Sequence, residues 1–274
     1  MEKKAQKEAR KKPTWAEIMA GYSKAKKQWR LAGLPVIGPL ISRGKFGNKV
    51  DANWMVPVNV KIGPAESVAL PFDILRPILE KASYIFRMNR CPCRAGYGCQ
   101  NFPHEIGCIM MGPGARDIRP EFGQEVTLEE ALQHARRAVE AGLVPLIVHA
   151  KSDADLFGID YRRMLAICLC CDCCCDIRMG LRLGPQAFWS SVHRLPGLLV
   201  SVSDECNLCG KCVEVCFKEG VISLGETKAQ INEQCVGCGK CATVCPLAAI
   251  SFQFTMAGEA SRELVAVLEG RTEI

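Results

Sequence analysis

Two short cysteine runs constrain this chain more than anything else in it. The first reads Cys206-Asn-Leu-Cys209-Gly-Lys-Cys212-Val-Glu-Val-Cys216, and the pattern returns at Cys235-Val-Gly-Cys238-Gly-Lys-Cys241-Ala-Thr-Val-Cys245-Pro246. Three thiolates separated by two residues can wrap three irons of one cuboidal 4Fe-4S cluster, while the fourth lies too far along to reach that cube and ligates the other. The spacing therefore assigns Cys206, Cys209, Cys212 and Cys245 to one cluster and Cys235, Cys238, Cys241 and Cys216 to a second. Gly210, Gly237 and Gly239 let the backbone fold tightly and aim N–H groups at sulfur. Leu208, Val213, Val215, Ile222, Val236, Val244 and Ile250 supply an apolar lining that limits water. Paired Cys-x-x-Cys also binds zinc, but a zinc ion takes four ligands and gives no reason for a third cysteine at the same spacing in each repeat.

This segment resembles a bacterial two-cluster ferredoxin domain. One position departs from the resemblance: Phe217 stands where the second repeat, like most of that family, has a proline, here Pro246. The departure touches the surroundings of one cluster and leaves its ligands intact.

Eighteen cysteines without a secretory pattern point to a reducing compartment, where thiols become metal ligands rather than disulfides. No apolar h-region follows the basic start, and Arg136-Arg137 and Arg162-Arg163 are internal. The 11 residues from Leu31 to Ile41 are apolar but broken by Gly33, Pro35, Gly38 and Pro39, too short and too interrupted to span a bilayer. A cytoplasmic protein is expected. Its net charge of +6 is unevenly placed: residues 1–49 hold 13 Lys/Arg against Glu2, Glu8 and Glu17, a net of +10, so the rest carries −4. Thiolate-bound clusters make that body more acidic still, and set the arm apart as a basic element.

The expected order is a basic arm over 1–49, a cysteine-rich domain over 50–196, the two-cluster domain over 197–256 and a helical tail over 257–274. Thr14 and Glu17 form a capping box opening a helix from Trp15 to about Arg30, with Trp15, Ile18, Met19, Tyr22, Ala25 and Trp29 on one stripe. That stripe either packs on the chain's own core or docks an acidic partner subunit or a membrane surface, with Leu31 to Ile41 as an apolar follow-on. No nucleic-acid module is visible, so nucleic acid is not expected as a partner. Residues Pro71 to Ala82 read as a helix that kinks or restarts at Pro77, and Ser83 to Met88 as a short strand. Thr127 and Glu130 form a second capping box, opening a helix that ends near Gly142. Pro145 to Ala150 and Leu165 to Leu169 read as buried strands.

Ten more cysteines lie in this middle region: Cys91, Cys93, Cys99 and Cys108, then Cys168, Cys170, Cys171, Cys173, Cys174 and Cys175. Six thiols within eight residues are not ordinary core thiols. Each group follows a predicted strand, so adjacent strands bring both to one end of a small sheet as a shared metal site. Arg94 and Arg178 beside the two groups either offset cluster charge or are solvated. His104 and His149 are candidate ligands, although lone histidines more often serve as hydrogen-bonded structural residues.

From about Val68 to Phe252 the chain resembles a family of anaerobic multi-cluster ferredoxins. The resemblance rests on Ala69-Leu-Pro71-Phe, Cys91-Pro-Cys93-Arg94, Leu128-Glu-Glu-Ala131 with Ala141-Gly-Leu143, the cysteine run at 168–175 and the two repeats behind it. It implies an α+β chain: a small cysteine-rich α/β redox domain fused to a ferredoxin-like domain with two 4Fe-4S clusters, transferring electrons in anaerobic metabolism. Ten cysteines allow one or two further cubes, which we place first. Cys170/Cys171 and Cys173/Cys174 also resemble the pairs that hold non-cubane clusters in heterodisulfide-reductase-type subunits. Cys93 and Cys99 with Cys170/Cys174 or Cys171/Cys175 resemble a sirohaem/4Fe-4S signature, but the domain is small for that fold.

No Rossmann fingerprint, P-loop or nucleophile elbow occurs, so nicotinamide, nucleotide and serine chemistry have no support. The expected function is single-electron transfer to or within an oxidoreductase complex, with redox partner proteins docked through the basic arm. A redox enzyme subunit that binds substrate at a cluster of the cysteine-rich domain is the competing reading, and a scaffold stapled by clusters is a third. No residue is assigned a catalytic role.

Overall fold

Two stretches, 144–148 and 165–170, are apolar along their whole length, and a strand of that kind must be covered on both faces. The computed structural model describes residues 12–32, 34, 40, 52–58, 60–62, 67–69, 72–183, 191–254 and 257–274. The chain runs α1 (Trp15–Ala32), β1 (Ala52–Met55), β2 (Val60–Ile62), β3 (Ser67–Ala69), α2 (Phe72–Lys81), β4 (Ile85–Met88), α3 (Pro92–Tyr97), β5 (Ile109–Met111), β6 (Gly123–Glu125) and α4 (Leu128–Glu140). It continues through β7 (Val144–His149), α5 (Lys151–Phe157), β8 (Leu165–Cys170), α6 (Asp176–Leu183), β9 (Val192–His193) and β10 (Leu198–Val202). Last come α7 (Lys211–Val215), β11 (Ile222–Leu224), β12 (Ala229–Ile231), α8 (Lys240–Val244), β13 (Ile250–Phe254) and α9 (Ala257–Glu269).

The main sheet has seven strands in the order β6-β4-β5-β8-β7-β1-β9. Every pairing in it is antiparallel except β1 with β9. The expected small α/β domain is therefore a mostly antiparallel, seven-stranded α+β body, since only one of its strand pairs is parallel. At its centre β7 and β8 pair from Val144 opposite Cys170 to Val148 opposite Ala166. Side chains alternate across a strand, and the two core clusters divide accordingly. Ile147, Leu165, Ile167 and Leu169 join Ile74, Leu75 and Ile78 of α2 and Ala131, Leu132 and Ala135 of α4. Val144, Leu146, Val148 and Ala166 join Ile18 and Tyr22 of α1, with Phe122 and Phe157.

Helix α1 thus spends its stripe on the chain's own body. Trp15 packs on Phe122 at 5.7 Å between ring centroids and Tyr22 meets Tyr97 edge-on at 5.1 Å. Both predicted capping boxes form: Glu17 accepts from the Thr14 N–H at 2.8 Å, and Glu130 from the Thr127 N–H at 2.8 Å. The Leu31–Ile41 segment lies largely outside the described residues, as does the side chain of Trp29.

Helix α2 runs unbroken through Pro77. A proline supplies no N–H to the carbonyl four residues back, here that of Asp73. The Ser261 hydroxyl of α9 donates to that carbonyl at 3.4 Å. The tail helix is thus part of the core, with Leu264, Val265 and Leu268 buried in the cluster that contains α2.

The second body is built on β10 and β13, paired antiparallel from Leu198 opposite Phe254 to Val202 opposite Ile250. Strand β2 adds to β13 in parallel and β3 pairs with β2, giving the order β10-β13-β2-β3. The boundary expected at 196/197 is therefore crossed by β2 and β3, which lie well before it in sequence.

Replacing Ser261 by alanine leaves the Asp73 carbonyl without this donor. We expect Ser261→Ala to lower stability by about 1 kcal/mol, read by denaturant unfolding of the anaerobically purified protein; no loss would show that this hydroxyl does not compensate for Pro77.

Candidate metal centres

The eight cysteines of the two repeats gather into two hollows. Cys206, Cys209, Cys212 and Cys245 line one, with Leu208, Leu224, Leu247 and Ile250. Cys216, Cys235, Cys238 and Cys241 line the other, with Phe217, Val221, Val236 and Phe252. Backbone N–H groups point at sulfur: Ala229 donates to Cys206 Sγ at 3.5 Å and Ala249 to Cys245 Sγ at 3.3 Å. The N–H groups of Ala229 and then Leu208 hold the Cys206 thiol below its usual range. Burial pushes Cys216, Cys238 and Cys241 up, so the second hollow is the drier one.

Each repeat needs a left-handed residue just before its second cysteine. Gly237 supplies it at φ 74°, while in the first repeat Leu208 adopts φ 58° at the same place, a strained conformation for a side chain of that size. Gly239 has φ 79°, and a Cβ there would overlap the Val58 carbonyl oxygen. The drier hollow therefore presses directly on the segment after β1, and the Val58 N–H donates to the Cys238 carbonyl at 3.2 Å.

The ten remaining cysteines converge on one end of the main sheet, but β4 and β8 are not adjacent. Strand β5 lies between them, and Cys108 stands immediately before it. The pleat of β8 then sorts the thiols. Cys170 packs in the core cluster under α1, with Cys168 against it, whereas Cys171 belongs to the cluster on the other face. Neighbouring cysteines of the 170/171 pair thus go to different centres.

On one side, the Sγ atoms of Cys99, Cys171, Cys173 and Cys174 all lie within 4.8 Å of one another. Cys173 Sγ is 3.5 Å from both Cys99 Sγ and Cys174 Sγ, and the Cys174 N–H donates to Cys171 Sγ at 3.2 Å. Burial pushes the Cys173 thiol up to about 11. Four converging thiolates are a donor set for zinc or an iron–sulfur cluster.

On the other side, Cys91, Cys93, Cys108, Cys168, Cys170 and Cys175 line a cavity of about 280 Å³, whose wall Cys171 also reaches. Cys91 lies within hydrogen-bonding reach of Cys93 and Cys108, Cys108 within reach of Cys168, and Cys175 Sγ is 3.0 Å from Cys170 Sγ. Hydrogen bonding among the thiols, then burial, pushes Cys91, Cys93, Cys108 and Cys170 up. The rest of the wall includes Tyr22, Asp153 and Asp176. The Tyr22 hydroxyl is 3.3 Å from Cys93 Sγ, and the Tyr97 hydroxyl donates to Asp176 Oδ1 at 2.5 Å. Tyr22 reaches this place by crossing α3 at Gly96, where a Cβ would overlap its ring.

Both arginines flagged in the sequence are buried, each only 1% exposed, so neither is a solvated side chain. Arg94 is a strut: its guanidinium donates to the carbonyls of Pro103 at 2.8 Å and Leu169 at 2.7 Å, and to that of Ile106. Arg178 pairs with Asp172 and lies 4.3 Å over the Phe217 ring. Its charge faces Cys170 and Cys175 on one side and Cys216 and Cys238 on the other. Its Nε and Nη2 have no hydrogen-bond partner among the described residues. Buried donors of that kind, set between two sulfur-lined sites, fit anionic iron–sulfur clusters, and the donor sets fit them as well. Phe217 thus carries Arg178, where a proline at that position would have no aromatic face to offer. Asp172 also pairs with Lys240 at 3.3 Å, joining the loop of Cys171 and Cys173 to α8.

The two candidate histidines bond to backbone: His104 Nε2 lies 2.8 Å from the Cys99 carbonyl and His149 Nε2 2.9 Å from that of Tyr161. Neither stands among the cysteine groups that converge. Sequence spacing did not reveal the placing of Tyr22 beside Cys93 or the Asp172–Lys240 pair, since both join residues far apart in the chain.

Residues 230–251 match the family described as the 4Fe-4S binding domain, a stretch that includes Cys235, Cys238, Cys241 and Cys245. No curated protein and no solved structure matches the chain. The chain carries at least one 4Fe-4S binding domain. Among the described residues no helix is long and apolar enough to cross a membrane.

A methyl group on Gly96 overlaps the Tyr22 ring, so Gly96→Ala should lift α1 from the body at a cost of about 2 kcal/mol. Amide exchange across residues 15–32 should then accelerate more than tenfold; unchanged exchange would mean that the contact at Gly96 does not hold α1.

Proposed function

We propose that the chain is an electron-transfer protein of anaerobic, cytoplasmic metabolism with two ferredoxin-type 4Fe-4S clusters and further clusters in the cysteine-rich body. The observation that carries this reading is the position of Arg178, one buried cation facing cysteines of both bodies. When bound, the clusters supply one-electron oxidation and reduction. What the chain supplies is position and charge. Cys209 is exposed, so the hollow of Cys206, Cys209, Cys212 and Cys245 is the natural point of exchange with an outside partner. The drier hollow lies inward of it, and Arg178 stands between that hollow and the cavity of six cysteines. A positive charge held out of water there stabilises the reduced, more negative state on either side.

A competing reading, a redox enzyme subunit, draws support from the cavity itself, whose wall holds the Tyr22 hydroxyl, Asp153 and Asp176 beside its thiols. Cys93→Ala abolishes substrate turnover under that reading, and only disturbs cluster content or relay under the first. Redox partners are proposed to approach the basic arm. In α1, Lys24 and Lys27 are exposed while the apolar stripe faces inward, which presents positive charge to an approaching partner.

Cys241→Ala should remove about four irons per chain and leave the Cys206 site loaded, as anaerobic iron and sulfide analysis would show. Retention of all the iron would mean that Cys241 is not a ligand. Arg178→Gln removes the shared cation, so midpoint potentials on both sides should fall by on the order of 60 mV, a tenfold change in a one-electron equilibrium. Redox titration that moves neither potential would remove the basis for linking the two bodies.

A further inference from the structure

Three of the four thiol groups contain four cysteines each; the one beneath α1 contains six. We infer that Cys91, Cys93, Cys108, Cys168, Cys170 and Cys175 together hold one iron–sulfur cluster of more than four irons, distinct in kind from the ferredoxin cubes. This inference rests on the iron–sulfur reading of the chain and adds to it the class of one cofactor.

Size gives the first argument. The cavity these six line measures about 280 Å³, whereas the hollows lined by the two sets of ferredoxin cysteines measure about 30 and 10 Å³. The ferredoxin hollows are an internal yardstick for a site built to grip a single cube closely, and the cavity is about nine times the larger of them and about twenty-eight times the smaller. Continuity gives the second. Cys170 Sγ and Cys175 Sγ lie 3.0 Å apart, and Cys91, Cys93, Cys108 and Cys168 share the one cavity wall with them. Within this set nothing separates four ligands from two bystanders.

Ligand count gives the third argument. A cube bound through four thiolates would leave two of the six cysteines in this cavity wall unused. Six thiolates, each on its own iron, need about six irons or more. The other four cysteines already converge as Cys99, Cys171, Cys173 and Cys174, so the ten divide without remainder. Tyr22 closes the cavity beside Cys93, and Arg94 fixes Cys91 and Cys108 against the end of β8 through the Leu169 carbonyl.

The test compares full-length protein with its Cys108→Ala/Cys168→Ala variant, both prepared without oxygen and weighed by native mass spectrometry. The variant should lose six or more irons with the matching sulfides, while the spin-resonance signals of the ferredoxin clusters persist. A loss of about four irons would identify an ordinary cube, and no loss would mean that these thiols hold no metal; either overturns the inference. Iron missing from the parent itself would instead defeat the iron–sulfur reading beneath it. Should the double variant fail to fold, Cys93→Ala, at the half-buried edge of the cavity, gives the same count under the same criteria.

Discussion

The pleat of a single strand decides what this molecule can hold. Residues of β8 alternate between two covered faces, so Leu165, Ile167 and Leu169 fill one core while Ala166 and Cys170 fill the other. Within the strand the same alternation sets Cys168 and Cys170 on the face under α1, and the turn that follows β8 carries Cys171, Cys173 and Cys174 to the second centre and returns Cys175 to the first. A shift of one residue in the pairing with β7 would turn Cys168 and Cys170 into the hydrocarbon core between α2 and α4. The register is therefore strongly specified by the apolar residues, and the thiols inherit their places from it.

Electrostatics supplies the second constraint. A body crowded with cysteine thiols that can bind metal as thiolates accumulates negative charge, and the net −4 beyond the basic arm offers no general relief. Relief is local instead. Arg178 is buried between the two bodies, with Phe217 against its flat face and Asp172 on one nitrogen. Asp172 in turn pairs with Lys240 at the start of α8. Burial makes the Arg178 charge act over longer range than it could in water, which is why one arginine can bear on cysteines of both bodies.

Much of this was legible in the chain. The Cys-x-x-Cys-x-x-Cys repeats select two sets of four ligands, and the structure gathers the same eight residues into two hollows. The capping boxes at Thr14 and Thr127 mark helix starts by purely local chemistry, and both form. The runs Pro145 to Ala150 and Leu165 to Leu169 read as buried strands because they are almost wholly apolar. What stayed hidden depends on contacts between distant residues. Strand β5 between β4 and β8 is three residues long, too short to carry a period. The addition of β2 and β3 to the second body's sheet has no signal in the spacing. The stripe on α1 was legible as a stripe, but its destination was not, because amphipathicity says that a face is buried and not against what. Phe217 looked like a departure from a pattern; only its contact with Arg178 gives it a purpose.

Electronic contact between the two bodies is the central claim, and spin-resonance spectroscopy of the dithionite-reduced, full-length protein prepared without oxygen tests it most directly. Signals broadened and split by magnetic coupling between the deeper ferredoxin site and the neighbouring sites of the seven-stranded body are expected. Sharp signals that add up as isolated clusters, or a protein filled with zinc and silent in the spectrum, would contradict it.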